Sequence, residues 1–428
     1  MLVWSYRAVW STDPFESLVM GARARGLPAS WSDLERQYPF QPAVHSNFLT
    51  FNALLAGLPE PLAGADAAAT ELPIGGRTLS PRGVAWLERQ ETIVAQVQER
   101  LSERRNWDFG FLREDAGRDY PPLENYHMAA AALLRTQAQW EFERGRWDAG
   151  VAGLISAVRL IRYNGGEYKL MGLLVRHSET ESMHEPLRHL LGPGRGRCTE
   201  LQLRDLQEAF TRLLEAPTVS QILRIEWAVH LEGLRSTSFW IPDGPAATTL
   251  KDRFTNFLLG CAYALSASKT ADTSDYLRIA AARCDAFEGT LAQRQQRSQA
   301  LVAEVAVIRK KWNRPLFRMM DANFPALNQW EFGATAWVRA AVTTLAVERF
   351  RLKYGQLPVD TAVLVPEFLP EVLRDPIDDL PLRYRREAEG FVVYSIGSNA
   401  RDDAGQLNTV NDPVNGAKAG GDQGIRVP

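Results

Sequence analysis

From about Ser32 to Gln329 apolar residues recur three and four positions apart, and clusters of Gly, Pro, Asn and Asp cut that recurrence into helix-sized lengths. A helix of this kind has one apolar stripe to cover, so a chain so patterned folds as successive helix hairpins that cover each other. The run from Ser80 to Arg105 opens on Ser80-Pro81, a cap followed by proline at the first helical position, and sets Val84, Leu87, Ile93 and Val97 on one side. After Pro121-Pro122 a helix is predicted to about Glu143. Gly145 to Asp148 turn the chain, a second helix runs from Ala149 to Ile161, and a third from about Glu167 to Leu191. Thr199 is the candidate cap of the next helix, whose apolar face holds Leu203, Leu206, Phe210 and Leu213 up to Pro217. Beyond a loop at Trp240 to Pro245, the last long helix of the region is expected from about Asp275 to Lys311, with Gln293 to Arg297 as a solvated face.

The pattern changes near Pro325. A helix predicted from about Phe332 to Tyr354 is followed by Gly355, which can take the positive φ that stops a helix, and by Pro358, which prevents its resumption. Leu382 to Arg385 and Phe391 to Ile396 read as a β-hairpin with a longer loop at Glu387 to Gly390, its apolar face on the helix at Trp337, Ala341 and Leu345. From Gly397 onward the chain is rich in Gly, Asn and Asp, which predicts an irregular loop and a loose tail. The expected fold class is mainly α: a helical-hairpin domain over 1–329, a small α+β module over 330–412 and a loose tail over 413–428.

Length and charge narrow the function classes. The 428 residues suffice for two to three domains, and 49 basic residues against 51 acidic ones leave no bulk positive charge for a nucleic-acid partner. Three cysteines, Cys198, Cys261 and Cys284, are too scattered for a disulfide framework or a zinc knuckle. No stretch has the roughly 18 uninterrupted apolar residues that a membrane span requires. The apolar opening from Met1 to Trp10 is short and carries Arg7, so membrane attachment is expected only through an anchor missing from the N-terminus.

Two resemblances add to this reading. Gly145, Trp147, Gly150, Leu154 and Ala157 fall at the spacing of a tetratricopeptide hairpin, with small residues where two helices approach and large ones where they interlock. A second copy at the 34-residue period is missing, so the alternative is an αα-hairpin inside a larger helical domain. The last quarter resembles the head of type II secretion pseudopilins. The run from Val347 to Pro358 is similar to the end of their long helix and its following turn. Asp375-Pro376 is similar to their Asp-Pro element, Pro381 to Tyr384 to their first strand, and Tyr394 to Asn399 to their strand exit. In the major members of that family the loop after the last strand binds calcium, which the resemblance places at Asn399, Asp402 and Asp403, with Asp412 as a further candidate. Calcium takes about six to eight oxygen ligands, and this loop supplies carboxylates and carbonyls. It departs from the family in having Asn399 in place of an aspartate and Arg401 inside the loop; the alternative is a solvated turn capped by Asn and Asp. It departs further in having some 330 residues in front of the module, and Arg339 in its helix, which exclude an ordinary filament subunit.

Other residues offer competing chemistry. Glu124 and His127, and Glu181 and His184, are Glu-x-x-His pairs that each share a helix face, as in half of a di-iron site; Glu141 or Glu226 would have to complete it. His177 joins Glu181 and His184 on one stripe. The plainer reading is a polar helix end. Gly192 to Arg197 follows a helix and lacks the Lys-Ser/Thr of a phosphate loop, so it reads as a basic linker. No nucleophile motif is present. The expected function is a non-enzymatic, envelope-associated scaffold that binds a protein or peptide, extracytoplasmic as the pseudopilin resemblance implies. The alternatives are a carboxylate/histidine metal enzyme and a metal-free cytoplasmic adaptor.

Overall fold

The computed structural model describes residues 14–39, 41–42, 50–51, 53–55, 81–102, 123–164, 170–235, 267–311, 314, 317, 325–407 and 421–428. Among the described residues the molecule is mainly helical, with one small antiparallel sheet of three strands. The helices among the described residues are α1 (Pro14–Ala24), α2 (Trp31–Gln37), α3 (Pro81–Ser102), α4 (Leu123–Glu143), α5 (Trp147–Asn164), α6 (Leu170–Ser182), α7 (His184–Leu191), α8 (Glu200–Leu213), α9 (Val219–Arg235), α10 (Ala267–Ala286), α11 (Leu291–Arg309) and α12 (Pro325–Tyr354). The strands are β1 (Arg383–Glu387), β2 (Gly390–Ser395) and β3 (Gln423–Val427), in spatial order β1-β2-β3. No helix of the described residues is long and apolar enough to cross a membrane.

Local chemistry accounts for the helix ends. Gly145, at φ 71°, closes α4: its N–H donates to Phe142 O and that of Arg146 to Glu141 O, the paired bonds that satisfy a helix's last carbonyls. The turn is so tight that α5 returns directly along α4. A Cβ on Gly150 would sit 2.3 Å from the Phe142 ring, so only glycine lets the two helices approach this closely. Thr199 caps α8 through a full capping box with Gln202. Gly355, at φ 69°, ends α12.

Two expected helices are each divided in two. The run predicted from Glu167 to Leu191 breaks at Met183, because Pro186 lacks an N–H and fits only the first turn of a new helix. The run from Asp275 to Lys311 breaks at Gly289, and Thr290 starts α11 with a capping box to Gln293. Of Gln293 to Arg297, Gln293, Gln296 and Arg297 are exposed, whereas Gln295 is half-buried and so is Arg294, which pairs with Glu331 at 2.6 Å.

Apolar side chains form two cores. One gathers residues of α3, α4, α5, α7, α8, α12 and the sheet; the other joins α1, α2, α9 and α10 with Leu173, Ile308 and Leu327. The packing therefore does not follow the expected division at 329/330, since α12 shares its core with the preceding helices. Phe210 of α8 meets the Trp337 ring edge-on at 5.5 Å, and His184 lies 4.3 Å from that ring, so Trp337 packs on the helical side.

The loose tail expected over 413–428 is corrected in the part that the structure describes. Residues Gln423–Val427 pair with β2 along their whole length, Phe391 opposite Val427 and Ser395 opposite Gln423. The β1–β2 connection is also shorter than expected, with Glu387 opposite Gly390 across Ala388-Glu389. Every residue of β2 is buried because both its faces are covered: Phe391 and Val393 join the α12 core, while Gly405 of the following loop sits over Val392 and Tyr394.

Candidate functional site

The site worth building is the end of the ribbon where β2 leaves the sheet, because the residues singled out in the sequence converge there. Asp375 is fully buried. Its Oδ1 accepts from Ser395 Oγ at 2.7 Å and from the Ile377 N–H at 2.9 Å; its Oδ2 accepts from the Ile396 N–H at 2.9 Å and from Arg383 Nη1 at 2.7 Å. One carboxylate thus ties its own loop to the first residue of β1 and the last of β2. Tyr384 completes the arrangement by donating its hydroxyl to Pro358 O at 3.0 Å, fixing the turn after α12 to β1.

The loop after β2 folds back under a second buried carboxylate, Asp422, which immediately precedes β3. Asp422 accepts the N–H groups of Asp403 at 3.2 Å and Gly405 at 2.6 Å. Burial pushes its carboxyl above the ordinary range, the two N–H bonds oppose this, and the nearby Asp402 and Asp403 add to it. Asp402 accepts from the Tyr394 hydroxyl at 3.2 Å and from the Ala404 N–H at 2.9 Å. Burial first, and then Asp402, push the Tyr394 hydroxyl up to about 12.

The calcium candidates therefore lie in one loop, but each is engaged within it. Asn399 Nδ2 donates to Asp403 Oδ2 at 2.9 Å, Asn399 Oδ1 accepts the Arg401 N–H at 3.1 Å, and Arg401 Nε lies 3.6 Å from Asp403 Oδ1. Among the described residues no three His, Cys, Asp or Glu side chains converge as a ready metal-binding group. Asn399, Asp402, Asp403 and Asp422 carry side-chain oxygens, the donor type that calcium takes, without being gathered into one set. Asp412 lies outside the described residues. Asp422 was missed in the sequence because its neighbours are glycines in a segment with little to bury.

The histidine constellations have other occupations. Glu141 pairs with Arg146, its Oε1 accepting from Nη2 at 2.7 Å, and Glu226 accepts the Leu170 N–H at 3.0 Å. Both glutamates nominated to complete a di-iron site thus hold helix ends, at the α4–α5 turn and at the start of α6. Glu181 is exposed, His184 packs on Trp337, and His177 is buried with neither ring nitrogen bonded. His127 is buried too, and the side chain of Glu124 lies outside the described residues. Cys198 and Cys284 are buried free thiols, pushed up to about 11 and about 12 by burial, which removes the thiolate that reactivity needs; Cys261 is outside the described residues.

The chain matches no family model, no curated protein and no solved structure.

Proposed function

We propose that this chain is a non-enzymatic scaffold that binds a protein or peptide at the bacterial cell envelope, carrying a pseudopilin-like head on a helical-hairpin body. One observation carries the reading. The four short motifs behind the resemblance are separate segments of residues 347–399, and they meet through hydrogen bonds: the turn after α12 with Tyr384, and Asp375 with Arg383, Ser395 and Ile396. Direct bonds between all four segments are what a common ancestral arrangement of them would preserve. The tight α4–α5 pair, closed at Gly145 and Gly150, supports the tetratricopeptide-like reading of the body.

In this reading calcium is a ligand of the head. Asn399, Asp402, Asp403 and Asp422 are the residues to hold it, and the ion would offset the mutual repulsion of the three carboxylates. The present loop contacts from Asn399 and Arg401 to Asp403 are the ones it would replace.

Metal analysis of the purified full chain tests the proposal. The expected result is calcium binding, with a rise in Tm, that is lost in the Asp402→Ala, Asp403→Ala double variant, and no stoichiometric transition metal. Iron, manganese or zinc retained by the chain and lost in His127→Ala, His184→Ala would overturn it in favour of a metal enzyme. Location is tested separately, by fractionating the tagged product of the full reading frame; recovery in the cytosol would overturn the envelope assignment.

A further inference from the structure

The three-stranded ribbon is clamped at both ends, and at one of them a part of the molecule outside the ribbon adds to the clamp. At the end where β2 leaves and β3 enters, the clamps are Asp375 and Asp422, which belong to the ribbon's own loops. At the opposite end, where β1 turns into β2 and β3 finishes, Arg426 of β3 pairs with Glu387 of β1 at 2.9 Å and Arg386 donates to Pro358 O at 2.8 Å; a further clamp, Arg195, arrives from the connection between α7 and α8. Its guanidinium donates through Nε and Nη2 to Glu348 Oε1 of α12, at 3.1 and 2.9 Å. Nη1 donates to the carbonyl oxygens of Glu389, at 3.5 Å, and Pro428, and the group lies 5.8 Å from the Phe391 ring centre. Glu348 is 2 % exposed, so its charge depends on Arg195 and on Arg351, which reaches Oε2 at 2.8 Å.

The segment carrying Arg195 is seated rather than loose. A Cβ on Gly194 would fall 2.4 Å from the Trp147 ring, and Gly196 takes φ 79°, a conformation that glycine adopts without strain. The segment read as a basic linker therefore delivers one cation to one place. We infer that Arg195 is a strap that couples order at the turn end of the ribbon to the docked helical body, adding to the Glu387–Arg426 pair there, whereas the exit end is held by the ribbon's own aspartates alone. Without the strap the sheet frays from one end only, exposing the start of β2 and the end of β3 while the Asp375 end stays closed.

Hydrogen exchange read by mass spectrometry on the full chain tests this. In Arg195→Ala the amides of Phe391, Val392, Arg426 and Val427 are expected to exchange faster by on the order of tenfold, and those of Tyr394, Ser395 and Gln423 to keep their rates. Arg351→Ala removes the other cation from Glu348 without touching the ribbon carbonyls, so it should leave all of these amides unchanged. Arg195→Lys retains a charge but not the forked donors, and should give an intermediate acceleration of the same residues. Uniform acceleration along the ribbon in Arg195→Lys, the same pattern in Arg351→Ala, or no change in Arg195→Ala would each overturn the strap.

Discussion

Asp375 and Ile396 are joined by a hydrogen bond of 2.9 Å between a fully buried carboxylate and a backbone N–H, 21 residues apart in the chain. The same side chain also serves Ser395, Ile377 and Arg383, so its loss leaves the Ser395 hydroxyl and the Ile377 and Ile396 N–H groups without their acceptor at once, while Arg383 keeps Asp378. Asp375→Ala is expected to destabilise the protein by about 3 kcal/mol or more, each buried donor left unsatisfied costing about 1 to 3 kcal/mol. Urea unfolding measures it. A loss below about 1 kcal/mol would remove Asp375 from its position as the tie of the ribbon.

At the α4–α5 turn the argument rests on space. Gly150→Ala places a methyl group 2.3 Å from two Phe142 ring carbons and 3.0 Å from Ala138 O, and Phe142 is itself fixed between Trp147 and His189. Overpacking of this kind costs about 1 to 3 kcal/mol. Gly145→Ala meets no side chain and is penalised only by its positive φ, so the two variants together separate crowding from backbone strain.

The buried histidine of α6 gives a pH dependence with a definite sign. Burial holds His177 down at about 3, with a smaller push in the same direction from Arg176, so the folded protein keeps it neutral while the unfolded chain takes up a proton near 6.5. The unfolded state therefore binds more protons between these values, and stability falls as pH drops below about 6.5. At pH 5 the loss attributable to His177 is roughly 2 kcal/mol. His177→Leu should be neutral or stabilising at pH 7, because neither ring nitrogen has a bond to lose, and should reduce the acid sensitivity. Denaturant midpoints of the two proteins at pH 5 and pH 7 provide the comparison, and an unchanged pH slope in the variant would contradict the assignment.

What could be read from the residues was what short-range chemistry decides. Thr199 and Gln202 make a helix start wherever they occur at that spacing, and Gly355 before Pro358 makes a stop, so both stood out and both are observed. The Gly289-Thr290-x-x-Gln293 signal is equally local, and it divides what the apolar recurrence alone reads as a single long helix. β3 was not legible: Gln-Gly-Ile-Arg-Val is short, has an arginine between its apolar residues and becomes a strand only because β2 offers an open edge. Asp422 is significant for the same reason, through the loop that it meets. The Glu-x-x-His pairs illustrate the converse, since spacing alone put Glu181 and His184 on one face but could not say that a tryptophan from α12 would occupy it.

The central claim is that α12 is shared, backing the ribbon on one side and the helical body on the other, so that both belong to one core. Native-state hydrogen exchange at increasing denaturant measures it most directly. The account predicts that the slowest amides of β2, at Val393, and of α8, at Phe210, converge on one free energy of opening, both residues lying buried in the same cluster. Separate isotherms, with β2 opening fully while α8 stays protected, would show two independent units and contradict it.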